Sequence, residues 1–143
     1  MRTIATEAKE QLAPRLRLAI TRTARRLRQE AGSDLGPSQT AALATIERHG
    51  PLSPSEVADR ERIKRPTATR IVRHLQVAGL VERVRDPEDG RASILTITSE
   101  GRSLLRRLRA RKTAYLAQRL NGLDEEDRRT LEHAAELLEE MLE

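Results

Sequence analysis

The residues best equipped for chemistry lie between Ser53 and Arg91, and the chemistry they offer is recognition of a polyanion. Thr67, Thr69, Arg70 and His74 share the polar side of one short helical stretch. A guanidinium can donate two hydrogen bonds to a guanine edge, and threonine offers a hydroxyl and a methyl. These are groups that read bases in a DNA major groove. Lys64, Arg65 and Arg73 surround them with positive charge suited to phosphates. Such contacts hold a protein on a duplex without reading its sequence. Ser38, Gln39 and Ser53 stand at or near predicted helix starts, where free backbone amides can also hold phosphate.

Catalysis has no comparable support. His49, His74 and His133 are far apart and share no metal-ligand spacing. The chain has no His-Glu-x-x-His, no glycine-rich phosphate loop and no nucleotide fingerprint. The absence of Cys excludes disulfides, thiolate metal sites and cysteine-based redox sensing. The chain therefore does not read as an enzyme, and no metal or cofactor is expected.

Two helices and a turn must position the basic groups. Ser53-Pro54-Ser55-Glu56 combines a serine cap, a proline at the first helical position and a glutamate three residues after the cap. It predicts a short helix from 53 to about 60, followed by a turn with one apolar residue, Ile63. A second helix is predicted from Arg65 to Ala78. Pro66 fits only in its first turn, and Ala68, Ile71, Val72 and Leu75 make an i, i+3, i+4, i+7 stripe. Gly79 ends it. The period then falls to two over Leu80–Arg85 and Ser93–Thr98, which predicts a β-hairpin with a charged tip carrying Arg85, Asp89 and Arg91. A lone hairpin is marginal and must lie on the helices.

Longer helices flank this unit. One spans about 8 to 30, with Leu12, Leu16, Ile20 and Leu27 at helical spacing. Pro14 marks either its first turn or a kink, and Gly32 stops it. Residues 32–37 read as a linker, after which Ser38 caps a helix to about Arg48. Beyond the hairpin, one helix runs from about Glu100 to Leu120. A last one starts at Asp124 and carries Leu131, Leu138, Met141 and Leu142 on its apolar side.

With one Tyr and no Phe or Trp, the core must be aliphatic. The net charge of +5 is unevenly spread. Residues 121–143 hold nine acids and two arginines, while the remainder holds 25 bases and 13 acids. A basic body attracts polyanions by steering and counterion release. No apolar run approaches the roughly 20 residues that span a bilayer. Arg15 and Arg17 interrupt anything resembling a secretory leader. A cytoplasmic location, away from membranes, is the expectation.

The order of motifs from residue 52 to 101 is specific. Thr67-Ala68-Thr69-Arg70 opens the second helix, and Leu75 precedes Gly79-Leu80-Val81-Glu82-Arg83. Asp86, Asp89 and Arg91 mark the turn, and Leu95-Thr96-Ile97-Thr98-Ser99-Glu100-Gly101 closes the segment. This region resembles the winged helix-turn-helix core of the MarR family of bacterial transcriptional regulators, and the flanking helices extend the likeness over nearly the whole chain. Where relatives often have Gly and then Ser before the recognition helix, this chain has Arg62 and Lys64. The missing serine removes a helix cap, a change that bears on operator preference rather than on the fold.

The resemblance implies a mainly α fold with a small β-hairpin wing, a winged helix-turn-helix with additional dimerisation helices. On that reading residues 1–36 and 100–143 serve dimerisation and 37–99 bind DNA. It implies a homodimer on an imperfect palindrome of double-stranded DNA. Thr67, Thr69, Arg70 and His74 would read bases, and Ser38, Gln39, Ser53, Lys64, Arg65 and Arg73 would hold the backbone. Arg85, Asp89 and Arg91 would serve the wing. It further implies repression relieved by a small anionic or aromatic effector, with Arg15 and Arg22 as candidate pocket residues. A nonspecific architectural DNA-binding protein and a winged-helix protein-interaction module remain alternatives.

Overall fold

The computed structural model describes residues 2–143, with side chains from residue 5 onward; Met1, at the head of the predicted first arm, lies outside the described residues. Six helices and one hairpin follow in the order α1 (Arg2–Ala31), α2 (Pro37–His49), α3 (Pro54–Glu61), α4 (Arg65–Val77), β1 (Val81–Arg85), β2 (Ser93–Ile97), α5 (Ser99–Asn121) and α6 (Glu125–Leu142). This is the mainly helical architecture with a β wing that the sequence predicts.

The core is aliphatic and sits where α2, α3 and α4 pack on one another and on the hairpin. Leu43, Ile46, Val57, Val72, Leu75 and Leu95 are fully buried. The α4 stripe predicted from spacing, Ala68, Ile71, Val72 and Leu75, is the buried face of that helix. The hairpin is antiparallel, with Val81 opposite Ile97, Arg83 opposite Leu95 and Arg85 opposite Ser93. It is anchored from outside by Leu52. The Leu52 N–H donates to the Leu95 carbonyl at 3.1 Å and the Leu52 carbonyl accepts from the Leu95 N–H at 2.7 Å, so the marginal hairpin gains a third, one-residue strand.

Local signals place the ends of these elements. In α3 the Ser53 hydroxyl accepts from the Glu56 N–H, and the Glu56 carboxylate accepts from the Ser53 N–H, both at 3.2 Å. The helix stops at Arg62, which is left-handed with φ 54° and ψ 45°. Ile63 N–H then reaches back to the Ala58 carbonyl at 3.0 Å, and the Ile63 side chain packs on the core. Thr98 closes the wing and opens α5. Its hydroxyl donates to the Gly79 carbonyl at 2.7 Å and accepts from the Gly101 N–H at 3.1 Å. Asp124 caps α6 by accepting from Asp127 N–H at 2.8 Å.

Three expectations need correction. Ser38 does not cap α2. Pro37, with no N–H to satisfy, takes the first helical position, so Gly36 is the cap residue and Ser38 lies inside the first turn. Gln39 does part of the capping, its side-chain oxygen accepting from Gly36 N–H at 3.1 Å. Pro14 neither starts nor ends α1, which runs through it from Arg2. Pro14 is exposed, so water can satisfy the carbonyl that loses its partner. Strand β2 ends at Ile97, one residue early, because Thr98 is committed to the α5 cap.

α5 contacts both α1 and α2. α1 packs along it. Arg111 of α5 donates to the Ala31 carbonyl at the end of α1 at 2.8 Å, and Arg109 pairs with Glu47 of α2 at 2.9 Å. α6 buries none of its residues.

Candidate nucleic-acid interface

An open groove of about 680 Å³ runs between the polar face of α4 and the start of α2. Thr67, Arg70, Arg73 and His74 line one wall, and Ser38 and Gln39 line the other. Residues 67, 70, 74 and 77 recur at helical spacing, so they share the face opposite the buried stripe. Residues that lie some thirty positions apart in sequence are thus brought to one surface. Its lining holds two guanidiniums and an imidazole, and no carboxylate. On the α2 side the intrahelical ladder begins with Thr40 N–H donating to Gly36 at 3.0 Å. The amides of Ser38 and Gln39 precede it, and helix starts of this kind attract phosphate.

Not every predicted residue joins this groove. Thr69 is exposed but turned away, its hydroxyl donating to the Arg65 carbonyl at 3.0 Å. Lys64 and Arg65 project from the exposed first turn of α4, beyond the groove lining. Lys64 is the cap residue of α4 and supplies no side-chain cap. Ser53 stands at the start of α3, with its hydroxyl engaged by the capping box. Arg85, Asp89 and Arg91 lie on the separate, exposed wing. Asp89 ends the turn: its carboxylate accepts from the Arg91 N–H at 3.1 Å, leaving the Arg91 guanidinium in solvent.

Sequence reasoning missed several residues. Val77 lines the groove and is 85 % exposed. Its position, seven residues after Arg70, already places it on the reading face. Arg83 fixes the wing relative to α4, donating to Ser93 Oγ at 3.0 Å and to Gln76 Oε1 at 3.4 Å. The period-two pattern placed Arg83 in a strand but could not reveal a partner on another element.

A second cavity, about 330 Å³, lies between α1, the start of α2 and α5. Arg25, Arg28 and Lys112 give it positive charge, with Leu35 and Leu108 as apolar walls. Its lining also contains no carboxylate. Arg15 and Arg22, the candidate pocket residues, do not line it. They are exposed on α1, on the N-terminal side of the residues that line the cavity. Among the described residues no cluster of His, Asp or Glu is arranged to hold a metal ion, and no helix is long and apolar enough to cross a membrane.

This arrangement, a capped helix, a tight turn, a basic outward-facing helix and a hairpin anchored beside it, is a winged helix-turn-helix. Comparison with known proteins agrees. The MarR family profile matches residues 33–92. An uncharacterized HTH-type transcriptional regulator of Mycobacterium leprae is 35 % identical over 92 % of this chain and 92 % of its own. The transcriptional repressor MdtR of Bacillus subtilis is 32 % identical over 64 % of this chain and 59 % of its own. The crystal structure of a Pseudomonas aeruginosa protein assigned as a transcriptional regulator superposes with a TM-score of 0.85 at 34 % identity, covering 94 % of this chain and 96 % of that one. The chain belongs to the MarR family, whose members are DNA-binding transcriptional regulators rather than enzymes.

Proposed function

We propose that this protein is a sequence-specific repressor that binds an imperfect palindrome of double-stranded DNA as a homodimer. The carboxylate-free groove carries the reading, because it joins the α4 side chains to the first turn of α2 on one face. α4 enters the major groove. Arg70 and Thr67 read base edges, with His74 beside them. Arg73, Lys64, Arg65 and the first turn of α2 hold phosphates, and Arg91 of the wing reaches the neighbouring backbone. Residues 37–99 act as the reading lobe, and the helices in 1–36 and 100–143 as the dimer arms. Two-fold symmetry then sets the two α4 helices about 34–36 Å apart on one DNA face.

Repression is the direction supported by the Bacillus subtilis relative, a repressor by name. Relief falls to a small anionic effector in the cavity bounded by α1, α2 and α5. Arg25, Arg28 and Lys112 provide its charge, and the adjoining Pro37 and Thr40 belong to the first turn of α2. An occupant there touches the arm and the DNA-binding lobe at once. With one Tyr in the chain and none in that lining, recognition rests on charge and aliphatic contact rather than stacking.

The test is affinity for the chain's own upstream promoter against scrambled duplex at matched salt, repeated with Arg70→Ala. A preference of about 10³-fold or more is expected, and the mutant should lose roughly 1–3 kcal/mol of that discrimination at each half-site. Equal, salt-dependent binding to both duplexes would establish an architectural protein instead. No binding to either would point to a protein partner.

A further inference from the structure

The wing is held at its base and carries its charge at its tip. Val81 and Leu95 belong to the core, Ile97 packs on it, and the Leu52 bridge fixes β2 at Leu95. Along β1 every residue from Glu82 to Arg85 is exposed. The tip closes on itself. The Asp86 N–H donates to the Ala92 carbonyl at 2.9 Å, and the Ala92 N–H donates to the Asp89 carbonyl at 3.0 Å. These bonds shape the turn, but they do not set its angle to the reading helix.

Arg83 supplies that link. Side chains alternate along a strand, so Val81, Arg83 and Arg85 share one face, and Ile97, Leu95 and Ser93 share it across the ladder. Arg83 therefore stands opposite a fully buried leucine, on the face turned to the lobe. Its stem can lie on apolar surface while the charged end reaches beyond it. That end donates to Ser93 Oγ at 3.0 Å and to Gln76 Oε1, in the last turn of α4, at 3.4 Å. Among the described residues this is the one side-chain hydrogen bond between the hairpin and α4. Gln76 is half-buried and does not line the groove that holds Thr67, Arg70, Arg73 and His74. Its only bond of this kind is the one to the wing.

We propose that Gln76 and Arg83 are positioning residues. They hold the wing at the angle that lets the Arg91 guanidinium meet a phosphate while α4 lies in the major groove, and neither has to touch DNA. The hairpin acts as a lever. Arg83 is level with Leu95, four residues from Arg91 along the chain, at most roughly 13 Å of extended backbone. A tilt of about 15° at that level moves Arg91 by up to about 3 Å, the length of a hydrogen bond. A wing free to tilt spreads Arg91 over positions that miss the phosphate. The assignment rests on the DNA-binding homodimer proposed above. It adds a route by which an uncharged side chain on α4 governs an ionic contact made by the wing.

Affinity of the full chain for promoter and scrambled duplex across a range of salt tests it. The proteins are wild type, Gln76→Met, Arg83→Ala, Arg91→Ala and each of the first two changes combined with Arg91→Ala. Gln76→Met keeps the length of the side chain and its helix preference but removes the acceptor. Although it changes no charge, it should lower the salt slope by about 1–2 and weaken both duplexes by about threefold or more at about 0.05 M salt. Arg83→Ala should do the same. In the Arg91→Ala background neither should lower the slope further, because the contact they aim is already gone. The promoter preference and the urea midpoint should stay at wild-type values throughout. A wild-type slope in Gln76→Met would overturn the proposal. So would a loss from Arg83→Ala that adds to that of Arg91→Ala, since Arg83 would then hold a phosphate itself. A urea midpoint that falls together with affinity would make the bond a prop of the fold and overturn the aiming role. A wild-type chain that binds neither duplex would overturn the DNA-binding reading, and the positioning role with it.

Discussion

α4 and α6 are both amphipathic helices with clean apolar stripes, and their fates in the fold are opposite. α4 buries Ala68, Ile71, Val72 and Leu75 against α2, α3 and the hairpin, whereas α6 buries nothing. Periodicity says that a face will be covered; it does not say by what. The α4 stripe is covered within one chain, and the α6 stripe is not. Charge follows the same division. The polar face of α4 is basic and opens on a groove, while α6 is an acidic helix, the wrong sign for DNA. A net positive lobe and a negative tail also orient the molecule as it approaches a duplex.

The largest effect that would sharpen this contrast comes from equal truncations on the two helices. Leu75→Ala opens a void at a residue that is 0 % exposed, and should cost about 2–5 kcal/mol in urea unfolding. Leu131→Ala should leave the lobe's own stability within roughly 0.5 kcal/mol and act through association, so its cost should depend on protein concentration. Equal, concentration-independent losses from both would mean that α6 packs on its own lobe.

A second contrast lies within α5, whose first turn belongs to the lobe. Gly101 is buried, and a Cβ there would run into the Leu80 carbonyl oxygen and come within 2.7 Å of the Ile97 side chain. Elsewhere in a helix Gly→Ala stabilises by up to about 1 kcal/mol. At Gly101 the sign should reverse, with a loss of about 1–3 kcal/mol from overpacking. A raised melting temperature for Gly101→Ala would show that the wing and α5 can move apart at little cost.

Much of the lobe was legible because its signals are local. The Ser53-Pro54-Ser55-Glu56 box, the stripe from Ala68 to Leu75 and the switch from helical to alternating period each fix an element with no help from distant residues. What escaped was non-local or a contest between neighbours. Ser38 lost the capping role to Gly36 because proline's preference for the first helical position outweighs a serine one residue later. Pro14 sits inside α1 on an exposed stretch, where water can satisfy the carbonyl that its ring leaves without a partner. Of the candidate site, the α4 residues were readable from spacing. The approach of Ser38 and Gln39 to them, the tether from Arg83 to Gln76 and the cavity holding Arg25, Arg28 and Lys112 depend on how separate elements meet.

Within the interface, groove and wing should respond differently to loss of charge. Arg91 is exposed at the wing tip with its backbone held by Asp89. Arg91→Ala should weaken binding to promoter and scrambled duplex alike and lower the salt slope by about 2, one for each wing of the dimer. The preference between the two duplexes should persist, unlike the loss expected from Arg70→Ala. A wing mutant that loses the preference would mean that the hairpin reads a minor groove rather than holding a backbone.

The smallest effect separates two roles at the turn between α3 and α4. Arg62 is left-handed with φ 54°, a region that costs a non-glycine residue roughly 1–2 kcal/mol. Arg62→Gly removes that strain but adds backbone freedom to the unfolded chain, worth roughly 0.5–1 kcal/mol in the other direction. A net gain of about 0.5 kcal/mol is expected from these two terms. Arg62→Asn tolerates the same geometry with less added freedom and should stabilise at least as much. Both variants remove an exposed positive charge close to α4 and should weaken DNA binding modestly, more so at low salt. Stability and affinity would then move in opposite directions at one residue. On that outcome, the turn accepts a strained arginine because its charge serves the duplex. If stability falls in both variants, the arginine side chain supports the fold itself and the strain is offset by its packing.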